Sequence, residues 1–113
     1  MLITSIPQYI QGVSNAKVDL TTTNLTTLFT VPSGADFNAA IVNSILVSED
    51  SGNADTITVT LTDTSNAVFS LFKVKAVAAN TTIELLTRDL VLQSGEILKV
   101  QAATANRLHV VAS

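Results

Sequence analysis

One imidazole, nine carboxylates and six basic side chains are spread over 113 residues, and few of them stand where they could act together. His109 is the single histidine. It sits in the alternating stretch Arg107–Ala112, on the same side as Arg107. With no second imidazole and no carboxylate at ligand spacing, it reads as a polar residue on a solvent face. A Ser-His-Asp set would need an orienting motif such as the GxSxG elbow, and none is present. The densest group of oxygen ligands is Glu49-Asp50-Ser51-Gly52-Asn53-Ala54-Asp55. Calcium takes several carboxylates and carbonyls from a flexible loop. Residues 49–55 lack the alternating spacing of an EF-hand, and no bidentate Glu stands at its twelfth position. Asp, Asn, Ser and Gly are also turn formers, so a hairpin loop is the first reading and a calcium loop the second.

Three further patterns reduce to ordinary structure. The threonines at 56, 58, 60 and 62 make a single Thr-x-Thr rung, whereas an ice-binding face needs that rung repeated at a fixed period. Asn24-Leu25-Thr26 and Asn80-Thr81-Thr82 match the glycosylation acceptor pattern. Without a secretory signal they are chance matches. Lys73 and Lys75 share a strand face and form only a small basic spot. No catalytic, cofactor-binding or metal-binding residue is predicted, and no cofactor.

Composition narrows the class. The chain is 47% hydrophobic and 13% charged, with a net charge of -3. That is too apolar for disorder, and it lacks the clustered Lys and Arg of a nucleic-acid face. Without Cys there is no disulfide, no thiolate site and no cysteine nucleophile. No apolar run reaches the roughly 18 residues of a membrane helix, and Met1–Gly12 lacks the basic flank of a signal peptide. Nucleic acid and membrane are therefore not expected partners. The length suits one domain with a real core.

The elements that must hold these residues are strands. Thr56–Asp63 alternates Ile57, Val59 and Leu61 against threonines, as a half-buried antiparallel strand does. Ala40–Ser48 alternates with apolar residues on both sides. Ala67–Ala76 sets Val68, Phe72 and Val74 against Phe69, Leu71, Lys73 and Lys75. Glu96–Ala102 places Leu98, Val100 and Ala102 inside, and Arg107–Ala112 places Leu108, Val110 and Ala112 inside. Leu25–Val31, Thr81–Leu86 and Leu90–Leu92 complete the set. Val31-Pro32-Ser33-Gly34 suits a type I turn. Asp50–Asn53 and Gln93–Glu96 look like hairpin loops, and Ala78–Asn80 and Ala103–Asn106 are weaker breaks. The expectation is an all-β fold: a single antiparallel β-sandwich of seven or eight strands, jelly-roll or Ig-like. Residues 1–20 lack clean alternation and are expected to form an N-terminal arm or edge strand, with the sandwich domain over 21–113.

The runs LTTLFTVPSG, AAIVNSILVSEDSGNADTITVTLTD and FKVKAVAANTTIELLTRDLVLQSGEILKVQAATANRLHVVAS resemble a family of small virion proteins of tailed, especially marine, bacteriophages. The shared features are a strand ending in VPSG, an SGNAD turn before TVTLTD, a late LxSGExLxV stretch and the closing NRLHVVAS. The resemblance covers about residues 20–113. It departs at Gly34–Asn38, where Asp36 and Phe37 replace the expected small residues.

The resemblance implies a non-enzymatic structural protein of the phage particle, located in the virion. The leading expectation is a capsid decoration or cement protein that stabilises the head shell; a tail, neck or fibre-associated role with receptor or glycan binding is the alternative. A surface rich in Thr, Ser and Asn suits close contact with other protein, because desolvating ions at an interface is costly. The expected partners are the chain itself, as a trimer or other cyclic oligomer, and the major capsid protein or tail proteins. Four Phe, one Tyr and no Trp offer few platforms for sugar rings. A small jelly-roll hydrolase is disfavoured by the missing His and carboxylate clusters.

Overall fold

A computed structural model describes residues 15–33 and 39–113. Ten strands form among them: β1 (Ala16–Asp19), β2 (Thr26–Thr30), β3 (Ala39–Val42), β4 (Ile45–Glu49), β5 (Asp55–Thr62), β6 (Val68–Val77), β7 (Thr82–Glu84), β8 (Leu90–Gln93), β9 (Ile97–Ala102) and β10 (Leu108–Ala112). The expected Pro32 turn ends at Gly34, and the departure at 34–38 also lies outside the described residues, as do positions 1–14 of the N-terminal segment.

The first sheet has the order β1-β10-β4-β7, the second β2-β9-β5-β6, and β3 and β8 form a two-stranded third. Every strand pair described is antiparallel. The pairing is nested: β1 with β10, β2 with β9, β3 with β8, β4 with β7, and β5 with β6. Two further pairings, β10 with β4 and β9 with β5, join this ribbon across itself. The fold is all-β with several antiparallel sheets.

Alternation explains the core. On β9 Leu98, Val100 and Ala102 are buried, and on β10 Leu108, Val110 and Ala112 are buried, as their spacing predicts. They join Ile45 and Val47 of β4, Ile57 and Val59 of β5, Val42 of β3 and Leu92 of β8 in one cluster. All three sheets therefore feed one core in a sandwich-like arrangement. Each buried Val, Leu or Ile side chain contributes roughly 1.5–3 kcal/mol.

Four expectations change. There are ten strands among the described residues, not seven or eight, and they form three sheets. Ala40–Ser48 is not one strand. It breaks at Asn43-Ser44, whose amides both donate to the Ser113 carbonyl, so β3 and β4 enter different sheets. After the break the buried side shifts, and Val42, Ile45 and Val47 are all buried. The supposed hairpin loops at Asp50–Asn53 and Gln93–Glu96 instead carry the chain between sheets, since β4 does not pair with β5 nor β8 with β9. Among the described residues the only hairpin between consecutive strands is β5–β6. There Asp63 Oδ1 accepts from the amides of Ser65 and Ala67, and Asn66 takes a φ of 65°.

Gly95 shows why one corner needs glycine. Its φ is 81°, and an added Cβ would meet Thr64 Cγ2 at 3.0 Å. Asn80 and Asn106, at φ 55° and 64°, occupy the same left-handed region in the two weaker breaks. Asn tolerates it because its short side chain bonds locally.

Candidate functional site

The carboxylates organise loops. Glu49 is buried at the end of β4. Its Oε1 accepts from the amides of Ser51 at 2.7 Å and Asn53 at 3.1 Å and from the Ser51 hydroxyl, and its Oε2 accepts from the Asn80 amide at 3.3 Å. Burial works to raise the Glu49 pKa, but these hydrogen bonds together outweigh it and hold the carboxyl below its ordinary value. Asp55 Oδ2 accepts from the Thr104 amide. Two carboxylates of the 49–55 stretch are thus spent on backbone N–H groups. No three His, Asp or Glu side chains gather for a metal ion among the described residues.

The third, Asp50, faces His109. His109 Nε2 lies 3.2 Å from Asp19 Oδ1, and Nδ1 lies 3.7 Å from Asp50 Oδ2. The row forms because His109 is opposite Asp19 of β1 and beside β4, which ends just before Asp50. Sequence spacing could not reveal it, since Asp19 and His109 meet only through strand pairing. All three side chains are substantially exposed, so among the described residues this is an open surface row. A depression lined by Asp55, Val77, Thr82 and Ile83 is wide open.

The threonine rung is split by depth. Thr56 and Thr58 are half-buried, whereas Thr60 and Thr62 are buried with hydroxyls that find no partner among the described residues. β5 lies between β9 and β6, so Thr60 is flanked by Lys99 and Ser70, and Thr62 by Ile97 and Val68. Thr58 Oγ1 accepts the Val74 amide at 3.1 Å.

What the sequence reading overlooked is the apolar surface of β6. Val68, Phe69 and Val74 are 58%, 53% and 59% exposed, and Leu71 is exposed too. β6 is a sheet edge and the longest strand described. Its pairing with β5 slips twice, between Ile57 and Val59 and between Val59 and Thr60, so β6 carries two bulges. Val68 lies opposite Thr62 and Phe69 opposite Leu61; the exposed apolar groups therefore project on both sides of the strand. Smaller pairs are exposed elsewhere, Ile41 opposite Val91 and Leu46 opposite Val111. The signal was present in the run Val68-Phe69-Ser70-Leu71-Phe72, which is apolar at both parities.

No protein-family model, no curated protein and no solved structure matches this chain.

Proposed function

We propose that this protein is a non-catalytic structural component of a tailed-bacteriophage particle, acting as a decoration protein that associates with itself and stabilises the head shell. Its fold is read as a jelly roll. The observation that carries this reading is the nesting of five strand pairs, each strand with its mirror in chain order, closed by β10–β4 and β9–β5. That is a long antiparallel ribbon rolled on itself, an architecture that recurs in viral capsid domains.

The surface supports an adhesive role. Exposed apolar side chains collect at a sheet edge, where strands of different subunits can meet. Five carboxylates, those of Glu49, Asp55, Asp63, Glu84 and Glu96, accept hydrogen bonds from backbone amides, so they shape loops. Binding only the assembled shell would stabilise it by mass action.

Purified protein mixed with expanded heads of the encoding phage should bind at a fixed copy number and raise the temperature at which the heads rupture. Recovery with isolated tails alone moves the protein to the tail or neck. Recovery with neither removes the virion reading.

A further inference from the structure

We infer that the exposed edge of β6 is a docking site for the N-terminal segment, residues 1–6, of a second copy of this chain, added as an extra strand. This rests on the self-association proposed above and names the surface that carries it.

The shape of the patch suits an added strand. A flat partner covers one side of a sheet. At β6 the exposed groups lie on both, Val68 on the Thr62 side and Phe69 on the Leu61 side. A strand added along the edge sends alternate side chains to both sides and also meets the unpaired backbone N–H and C=O groups. Among the described residues β6 pairs with β5 alone.

The composition of residues 1–6 matches that patch. Met1-Leu2-Ile3-Thr4-Ser5-Ile6 has no charged side chain and carries apolar groups at both parities. Pro7, lacking an N–H, bounds the stretch that can pair. On β6 the bulges begin after Ser70, and Lys73 and Lys75 lie beyond. A short strand along Val68–Leu71 leaves both ammonium groups in water.

The position of β1 relative to β6 favours a second copy. β1 is the edge of the first sheet and touches β2, the edge of the second, while β6 is the opposite edge. Ala16 pairs with Ala112, which pairs with Ile45. Following β4 through its loop into β5 puts Ile45 and Thr62 at the same end, and Val68 pairs with Thr62. Ala16, the first residue of β1, therefore stands at the end of the fold where β6 begins, but on the far side. In a head-to-tail ring, the β1 edge of one copy meets the β6 edge of the next. A chain of nine residues, the length of 7–15, can span at most about 30 Å, enough to cross between adjacent copies.

The chain has no cysteine, so engineered thiols report directly. Ile3→Cys protein is mixed with Ser70→Cys protein, oxidised and run on a non-reducing gel; a Thr4→Cys variant tests the neighbouring register. A covalent heterodimer from either mixture, with none from Ser70→Cys alone, is expected. Phe69→Asp should weaken association at least tenfold in sedimentation equilibrium while the β-sheet circular dichroism is retained. Three results overturn the inference: no cross-link in either mixture, a Ser70→Cys homodimer, which would mean β6 pairs with itself, or cross-linking of an Ile3→Cys/Ser70→Cys double variant only within one chain. An oligomer that binds heads without this cross-link overturns the β6 site alone. Loss of head binding, with the cross-link present, overturns the virion reading alone.

Discussion

Oε2 of Glu84 accepts the backbone N–H of Ile45 at 2.7 Å, although the two residues are 39 positions apart. The same carboxylate accepts from the Leu86 amide at 3.1 Å and from the Ser44 hydroxyl. One side chain thereby fastens the start of β4 to the end of β7, at the break where β3 and β4 part. Replacing Glu84 with Gln removes one acceptor oxygen and the charge that strengthens the bonds. A loss of about 1 kcal/mol is expected, since solvent screens this exposed group. Urea unfolding reads it directly, and an unchanged midpoint would count against the role.

Acid should loosen the same joints. Glu49, Asp63 and Glu84 all titrate below their ordinary values of 4.5, 3.8 and 4.5. For Glu49 and Glu84 burial pushes upward, and the hydrogen bonds together prevail; for Asp63 the Ala67 amide leads, followed by the Ser65 hydroxyl. A carboxyl with a depressed folded pKa stabilises fully above its unfolded value and loses that contribution as pH falls through the folded value. The urea midpoint should therefore start to drop near the ordinary carboxylate values and keep falling below them. A midpoint that rises on acidification from about pH 5 to about pH 3 contradicts this.

Val74 has a φ of 54°, a left-handed conformation that crowds a β-branched side chain. It lies at the slip opposite Ile57–Val59, with its amide held by Thr58. Val74→Gly relieves the clash and removes an exposed apolar group. Stability should rise by about 1 kcal/mol, as measured by thermal unfolding; a fall of that size would show that the Val74 side chain holds the bulge.

The Thr60 hydroxyl is buried and finds no hydrogen-bond partner among the described residues. A valine has nearly the same shape and no group to desolvate. Thr60→Val is expected to be neutral or stabilising by about 1 kcal/mol. Clear destabilisation in a chemical denaturation series would reveal a hydrogen bond made by that oxygen.

His109→Ala tests the surface row. Exposed polar pairs of this kind contribute little, so the change in stability should stay within about 0.5 kcal/mol. A loss well above about 1 kcal/mol in urea unfolding would show that the row fastens β1 to β10.

Strand positions were legible wherever one parity was apolar and the other polar. The inward side of β9 and β10 was read correctly, and each start was placed one residue early, at Glu96 and Arg107, because Leu98, Val100, Leu108 and Val110 alternate with Lys99, Gln101 and His109. The rule failed at Ala40–Ser48, where both parities are apolar and periodicity cannot mark a break. It failed again at the 50–53 and 93–96 loops, because a turn sequence says that the chain reverses without saying which strand it will pair with next. The candidate surface was hidden for a similar reason: whether Phe69 is core or exposed depends on whether another sheet covers it.

The order of residues alone thus determined a β-rich chain without disulfides or thiolate chemistry, and the inward side of its most regular strands, because alternation and composition are local properties. Pairing partners, the sheet to which each strand belongs, the meeting of His109 with Asp19 and the bare edge of β6 were decided only by tertiary structure. Each depends on contacts between distant segments, and many registers satisfy the same local pattern until the whole core is packed.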